Sequence, residues 1–114
     1  MEAISSTILL KAMDALTLRA QVTSQNIANA NSPGYRPLKV SFEDSLRKAA
    51  AGTRDEIRAV EPRISAAIDE FGRSDLRVDL EMATATATAG RYGILAELLN
   101  RRLQIEALAA AGSR

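Results

Sequence analysis

The sequence contains no cysteine and no histidine. Without thiols there are no disulfides and no thiolate metal sites, and the redox state of a compartment leaves no mark on the chain. Without imidazole, the usual general base near neutral pH and the commonest zinc ligand are both excluded. Rings are scarce as well: two Tyr, two Phe and no Trp, so aromatic side chains supply little of any core. Neither sign of charge dominates, with fifteen basic and fourteen acidic residues giving a net +1. No surplus of positive charge is available to neutralise a row of phosphates, which argues against nucleic acid as a partner. No apolar run approaches the length of a membrane span. The opening Met1-Glu2-Ala3-Ile4-Ser5-Ser6 carries an acid where a secretory leader would be basic. A protein of this kind working outside the cytoplasm would need another export route.

The 114 residues are enough for one domain, and 46% of them are hydrophobic, mostly Ala, Leu and Ile. That composition suits close helix–helix contact better than one thick core. The stretch that organises the chain is Asn26-Ile27-Ala28-Asn29-Ala30-Asn31-Ser32-Pro33-Gly34-Tyr35. Proline presets φ for the second position of a β-turn, and glycine supplies the positive φ of the third position in a type II turn. Ser32 then opens the turn and Tyr35 closes it, while Asn31, in a left-handed conformation, ends the preceding helix.

Upstream, Leu9, Met13, Leu16, Ala20, Thr23, Ile27 and Ala30 alternate by four and three, the signature of one helical seam. Lys11, Asp14, Arg19, Gln21 and Gln25 lie mostly off it. Such a helix is about 40 Å long, so it must protrude or pair. Downstream, Leu38, Val40 and Phe42 alternate with Lys39 and Ser41, predicting an extended segment. Residues 43–51 predict a short helix with Leu46 inward and Gly52 at its end. In 53–74, Ile57, Val60, Ile64, Ile68 and Phe71 have helical spacing, interrupted by Pro62. Two short helices or a linker with helical tendency fit equally there.

From Asp75 the helical order returns, with Val78, Met82, Ala85, Ala89, Tyr92, Ala96, Leu99 and Leu103 on a second seam. Asp75 or Asp79 can cap its start. The alternating Ala83-Thr84-Ala85-Thr86-Ala87-Thr88-Ala89 is also a strand pattern, but its flanks favour helix. Gly90 and Gly93 each cost about 1 kcal/mol in a helix relative to Ala, and small residues there would let another helix approach closely. The predicted fold is therefore mainly α, with two long terminal helices packed as an antiparallel coiled-coil hairpin around a short extended or irregular middle. Its divisions are 1–31, 32–74 and 75–111. One seam per helix leaves Leu10, Leu18, Leu95 and Leu98 uncovered, which favours self-association.

The ten-residue stretch resembles the N-terminal motif of bacterial flagellar axial proteins, the rod and hook family, in which a helix ends in N-(I/L)-A-N-x-x-(T/S)-P-G-Y. The C-terminal end resembles the proximal-rod FlgB branch, with its V-D-L-x-x-E-M-A, a tyrosine nine residues on, and L-L-N-R-K. The residues that match are Leu76, Val78, Glu81, Met82, Ala83, Arg91, Tyr92, Leu98, Leu99, Asn100 and Arg101, and Phe42 matches a family phenylalanine. Arg77 replaces the usual acid, and the middle is shorter than in most relatives. The resemblance implies a structural subunit that stacks helically around a central export channel and transmits torque from motor to hook. It implies copies of itself and other rod subunits as partners, with contacts at the MS-ring junction and export gate. It also implies a place in the periplasmic rod, reached by the flagellar type III apparatus without a cleaved signal. Asn26, Ile27, Ala28, Asn29, Asn31, Ser32, Pro33, Gly34 and Tyr35 would form the assembly motif and turn. In that role Pro33 and Gly34 set the reversal, Asn26 and Asn29 bond backbone or a neighbour, and the Tyr35 hydroxyl meets a polar partner. Leu9, Met13, Leu16, Ala20, Ile27, Val78, Met82, Tyr92, Leu99 and Leu103 would form the packing seam.

Two other classes compete. An enzyme would have to use carboxylate pairs, yet Glu43-Asp44, Asp55-Glu56 and Asp69-Glu70 are adjacent and diverge on a helix. No catalytic residue, cofactor, metal or small-molecule substrate is expected. A small helical coiled-coil adaptor or dimerisation module is the second alternative. Membrane-surface binding by the first helix is weakened by Lys11 and Arg19 being its only basic residues.

Overall fold

The first helix, α1 (Glu2–Ala28), runs 27 residues because no glycine or proline interrupts it. The last, α4 (Val78–Gly112), runs 35 residues straight through the Ala/Thr stretch. There the Thr88 hydroxyl donates to the Thr84 carbonyl at 2.7 Å, so a β-branched residue keeps its polar atom satisfied inside a helix. The computed structural model describes residues 2–68, 71–72 and 76–112; Asp75, Asp69 and Glu70 lie outside the described residues. Asp79 sits within the first turn of α4 and pairs with Arg77 at 2.7 Å.

The two long helices pack antiparallel. Asn26, near the end of α1, reaches Glu81 at the start of α4, while Met13 shares a surface groove with Leu99 and Leu103. The molecule measures 64 × 25 × 17 Å. Its radius of gyration is 17.5 Å, against about 13 Å for a compact domain of this length. The terminal helices and short middle thus form the mainly α hairpin that the periodicity predicts.

The middle holds more order than the sequence suggests. After the turn, β1 (Leu38–Ser41) leads through Phe42 into α2 (Glu43–Ala50). Acids open α2 and Arg47 and Lys48 close it, matching the helix dipole, and Leu46 is its buried residue. Thr53 and Glu56 then form a reciprocal capping box that starts α3 (Arg54–Arg58). Lys11 of α1 donates to the Arg58 carbonyl at 3.0 Å and ties down the end of α3. The second piece of 53–74 is neither helix nor linker but a strand, β2 (Arg63–Ala66). It pairs antiparallel with β1, Leu38 opposite Ala66 and Ser41 opposite Arg63. The spacing of Ile57, Val60, Ile64 and Ile68 concealed this, because what fixes β2 is a distant partner rather than its own pattern.

The buried apolar core is Ala15, Leu16 and Val22 of α1 against Val40, Phe42, Leu46 and Ile57 of the middle. Ile57 has no exposed surface. Helix α4 contributes no buried aliphatic residue; its one buried side chain is Thr88. Leu18 and Leu95, expected on the surface, are half-buried against the core, whereas Leu10 and Leu98 do stand exposed.

Candidate functional site

The end of α1 is organised by one amide. Asn26 is 1% exposed, and all four of its hydrogen-bonding positions are used. Its Nδ2 donates to the Leu38 carbonyl at 2.8 Å and to Glu81 Oε2 at 3.1 Å. Its Oδ1 accepts from the Tyr35 hydroxyl at 2.7 Å and from the Leu38 N–H at 3.1 Å. One side chain therefore joins α1, the turn, β1 and α4. Asn29 works locally: its Nδ2 donates to the Gln25 carbonyl at 2.9 Å and its Oδ1 accepts from the Ser32 hydroxyl at 3.1 Å.

The reversal follows directly. The Tyr35 N–H donates to the Ser32 carbonyl at 3.2 Å, and Gly34 has φ +75. Pro33 and Gly34 thus occupy the central positions of a type II-like turn. Asn31 does not adopt a left-handed conformation, since no described non-glycine residue has positive φ. The helix instead tightens through short bonds, Ala30 N–H to the Ile27 carbonyl and Ser32 N–H to the Asn29 carbonyl. Ala28, Asn31, Ser32, Pro33 and Gly34 are exposed, and Ile27 and Tyr35 are half-buried.

A second hub went unseen in the sequence. Arg19, placed off the seam by periodicity, has a side chain only 13% exposed. It grips Glu43 with two bonds of 2.7 and 2.8 Å, donates to the Val40 carbonyl at 2.8 Å, and lies 4.9 Å over the Phe42 ring. The Arg19 hydrogen bond, outweighing desolvation, lowers the Glu43 carboxyl from 4.5 to about 2. At the start of α4, the hydrogen bond from Arg77 likewise holds Asp79 below its usual value. Arg19 and Asn26 stand two helical turns apart on one face, a clue available from spacing, but neither residue type advertises a core role.

The packing seam on α4 differs from the one expected. Glu81, Ala85, Thr88, Leu95, Ala96, Leu99, Arg102 and Glu106 are its covered or half-covered positions, of which Ala85, Ala96 and Leu99 belong to the expected seam. Val78, Met82, Tyr92 and Leu103 are 39%, 58%, 40% and 52% exposed. On α1, Leu16 is buried, Leu9, Met13 and Ile27 are half-buried, and Ala20 is exposed. The covered face of α1 runs instead through Ala12, Ala15, Leu16, Arg19, Val22, Thr23 and Asn26. The physical reason is the Asn26–Glu81 bond together with the demands of β1. These set the rotation of both helices, so polar and small residues meet at the interface.

What remains outside is a second row on α4: Leu80, Ala87, Ile94, Leu98, Ile105 and Leu108 recur at helical spacing. The five larger members are 44–73% exposed. A Cβ built on Gly90 or Gly93 would meet nothing within 4 Å, so neither glycine serves a close approach inside the chain. Among the described residues no group of three or more His, Cys, Asp or Glu could hold a metal, and no helix is long and apolar enough to cross a membrane.

A comparison with known protein families falls on the same stretch. The family model described as flagella basal body rod protein matches residues 8–36. A relative from Borreliella burgdorferi, named flagellar basal body rod protein FlgB, is 49% identical over 37 residues. That alignment covers 32% of this chain and 27% of the relative. Residues 8–28 of α1 and the Asn26-centred turn lie in the family-matched region.

Proposed function

We propose that this chain is a structural subunit of the flagellar basal-body rod, built to be completed by copies of itself and by other rod subunits. The observation that carries the reading is α4, which meets α1 through small and polar groups together with Leu95 and Leu99 and leaves its second aliphatic row exposed. An exposed apolar stripe of this length is the mark of an interaction surface. In that role residues 1–31 and 75–111 form the core layer, and 32–74 is directed outward from it by the turn. Asn26, Tyr35, Pro33 and Gly34 fix that direction. Val78, Met82, Tyr92 and Leu103 then serve contacts between subunits rather than within one.

The finer parts of the proposal rest on the resemblance at both chain ends. They are helical stacking around the export channel, torque transmission from motor to hook, contacts at the MS-ring junction and export gate, and export by the type III apparatus. A helix pair with so few buried aliphatics is marginal alone and suited to ordering on assembly. Catalysis is not part of the proposal.

Deleting the gene and imaging purified basal bodies tests it. Rings without a rod, restored by the wild-type gene, are the expected result. Complete rods in the deletion strain overturn the proposal. The coiled-coil adaptor alternative predicts a fixed small oligomer in sedimentation, with no growth at higher concentration.

A further inference from the structure

The two edges of the small sheet are treated differently. In the β1–β2 register, Pro37, Lys39 and Ser41 turn their main-chain groups toward β2, as the Ala67 N–H to Pro37 carbonyl bond of 3.0 Å shows. Leu38 and Val40 face the other way, and α1 caps them. Asn26 takes both the N–H and the carbonyl of Leu38, and Arg19 takes the carbonyl of Val40. The edge of β1 is closed by side chains. On β2 the groups that face outward belong to Ile64 and Ala66, and β1 is the strand's only substantial neighbour among the described elements. No proline or lysine stands within Arg63–Ala66 to blunt that edge. Ile64 shares the face of buried Val40 yet is 49% exposed, because the sheet overhangs the cover that α1 provides.

We propose that β2 adds antiparallel to β2 of a second copy of this chain, about a two-fold axis, giving a four-stranded sheet. The edge is self-complementary. With Ser65 opposite the partner's Ser65, Ile64 lies opposite the partner's Ala66, and four main-chain bonds form within the strand without calling on Pro62. Arg63 then faces the partner's Ala67, so no like charges are opposed. Ile64 and Ala66 of both copies line one face, and the pairing extends an existing two-stranded sheet that is marginal by itself. The pair closes on itself, so it describes the chain in solution before it joins a head-to-tail stack, where the β2 edges would part; rod loss on gene deletion tests the stack, and the edge variants test the pair.

The chain lacks cysteine, so a single introduced thiol reports cleanly. Residues facing each other in a non-hydrogen-bonded antiparallel pair have Cα atoms about 4.5 Å apart, within disulfide reach. Under mild oxidation Ser65→Cys should give a covalent dimer far faster than Ser45→Cys, on the exposed surface of α2. Wild-type protein should shift from monomer to dimer mass with concentration in sedimentation. Adding Ala66→Pro removes an outward N–H but no bond to β1, and should abolish both effects with an unchanged far-UV spectrum. If that variant unfolds, Ile64→Lys replaces it, placing a charge on the edge. Equal cross-linking at positions 65 and 45, a monomer at every concentration, or association insensitive to the edge variants overturns the proposal.

Discussion

Helices α1 and α4 share a length scale and an apolar share, yet they live differently in the fold. Helix α1 is clad on several sides, by α4, β1, α2 and α3, and it supplies three of the seven buried apolar residues. Helix α4 packs mainly against α1, with Arg91 reaching Glu43 of α2 at 3.9 Å, and buries one threonine. The interior of this chain is therefore α1 against its own middle segment. The hairpin partner is an outer layer whose greasier side is still uncovered.

The most direct way to break that contrast is a matched pair of truncations. Leu16→Ala should cost about 3 kcal/mol in urea unfolding of the isolated chain, from lost transfer energy and the cavity left behind. Leu98→Ala, at 44% exposure, should change it by no more than about 0.5 kcal/mol while impairing assembly and motility. Equal losses for both would show that α4 is as much core as α1.

Asn26→Ala comes next. It strands the Tyr35 hydroxyl and both main-chain groups of Leu38, and should cost about 2 kcal/mol with an unchanged denaturant slope. Faster hydrogen exchange at Leu38 should accompany it, and full protection there would remove the hub from the account.

Gly34→Ala is a smaller, purely conformational perturbation, because a Cβ there meets nothing within 4 Å. At φ +75 it should destabilise by about 1 kcal/mol. Gly93→Ala, equally open but helical, should stabilise the isolated chain by up to about 1 kcal/mol. If Gly93 is needed for contact between subunits, that more stable variant will assemble less well.

The smallest effect is acid sensitivity at the Arg19–Glu43 pair. Glu43 titrates at about 2 when folded and near 4.5 when free. Its ion pair therefore stabilises the fold fully above the unfolded value, and the contribution is lost as pH falls from 4.5 toward 2. An Arg19→Met variant should show a flatter stability–pH curve across that window. An unaltered curve would mean that solvent screens the half-exposed carboxylate.

Much of this was legible in residue order. The turn could be read because Pro33 and Gly34 carry their backbone preferences with them, and α2 because its charges and Leu46 agree on one helix. The Asn26 hub was half legible: a polar partner for Tyr35 could be expected, but not that one amide would serve four groups. Arg19 was misplaced, since periodicity counts apolar side chains and is blind to a guanidinium held by a carboxylate, a carbonyl and a ring. Strand β2 was missed because a short exposed strand owes its existence to a partner far along the chain.

Local propensity and composition were enough to specify the two long helices, the reversal after the first of them and the surplus of aliphatic surface. Which face of each helix turns inward was settled by the packed fold. That choice belongs to long-range hydrogen bonds, Asn26 to Glu81 and Leu38 and Arg19 to Glu43 and Val40, which fix rotations left free by helices whose apolar residues are spread around the axis.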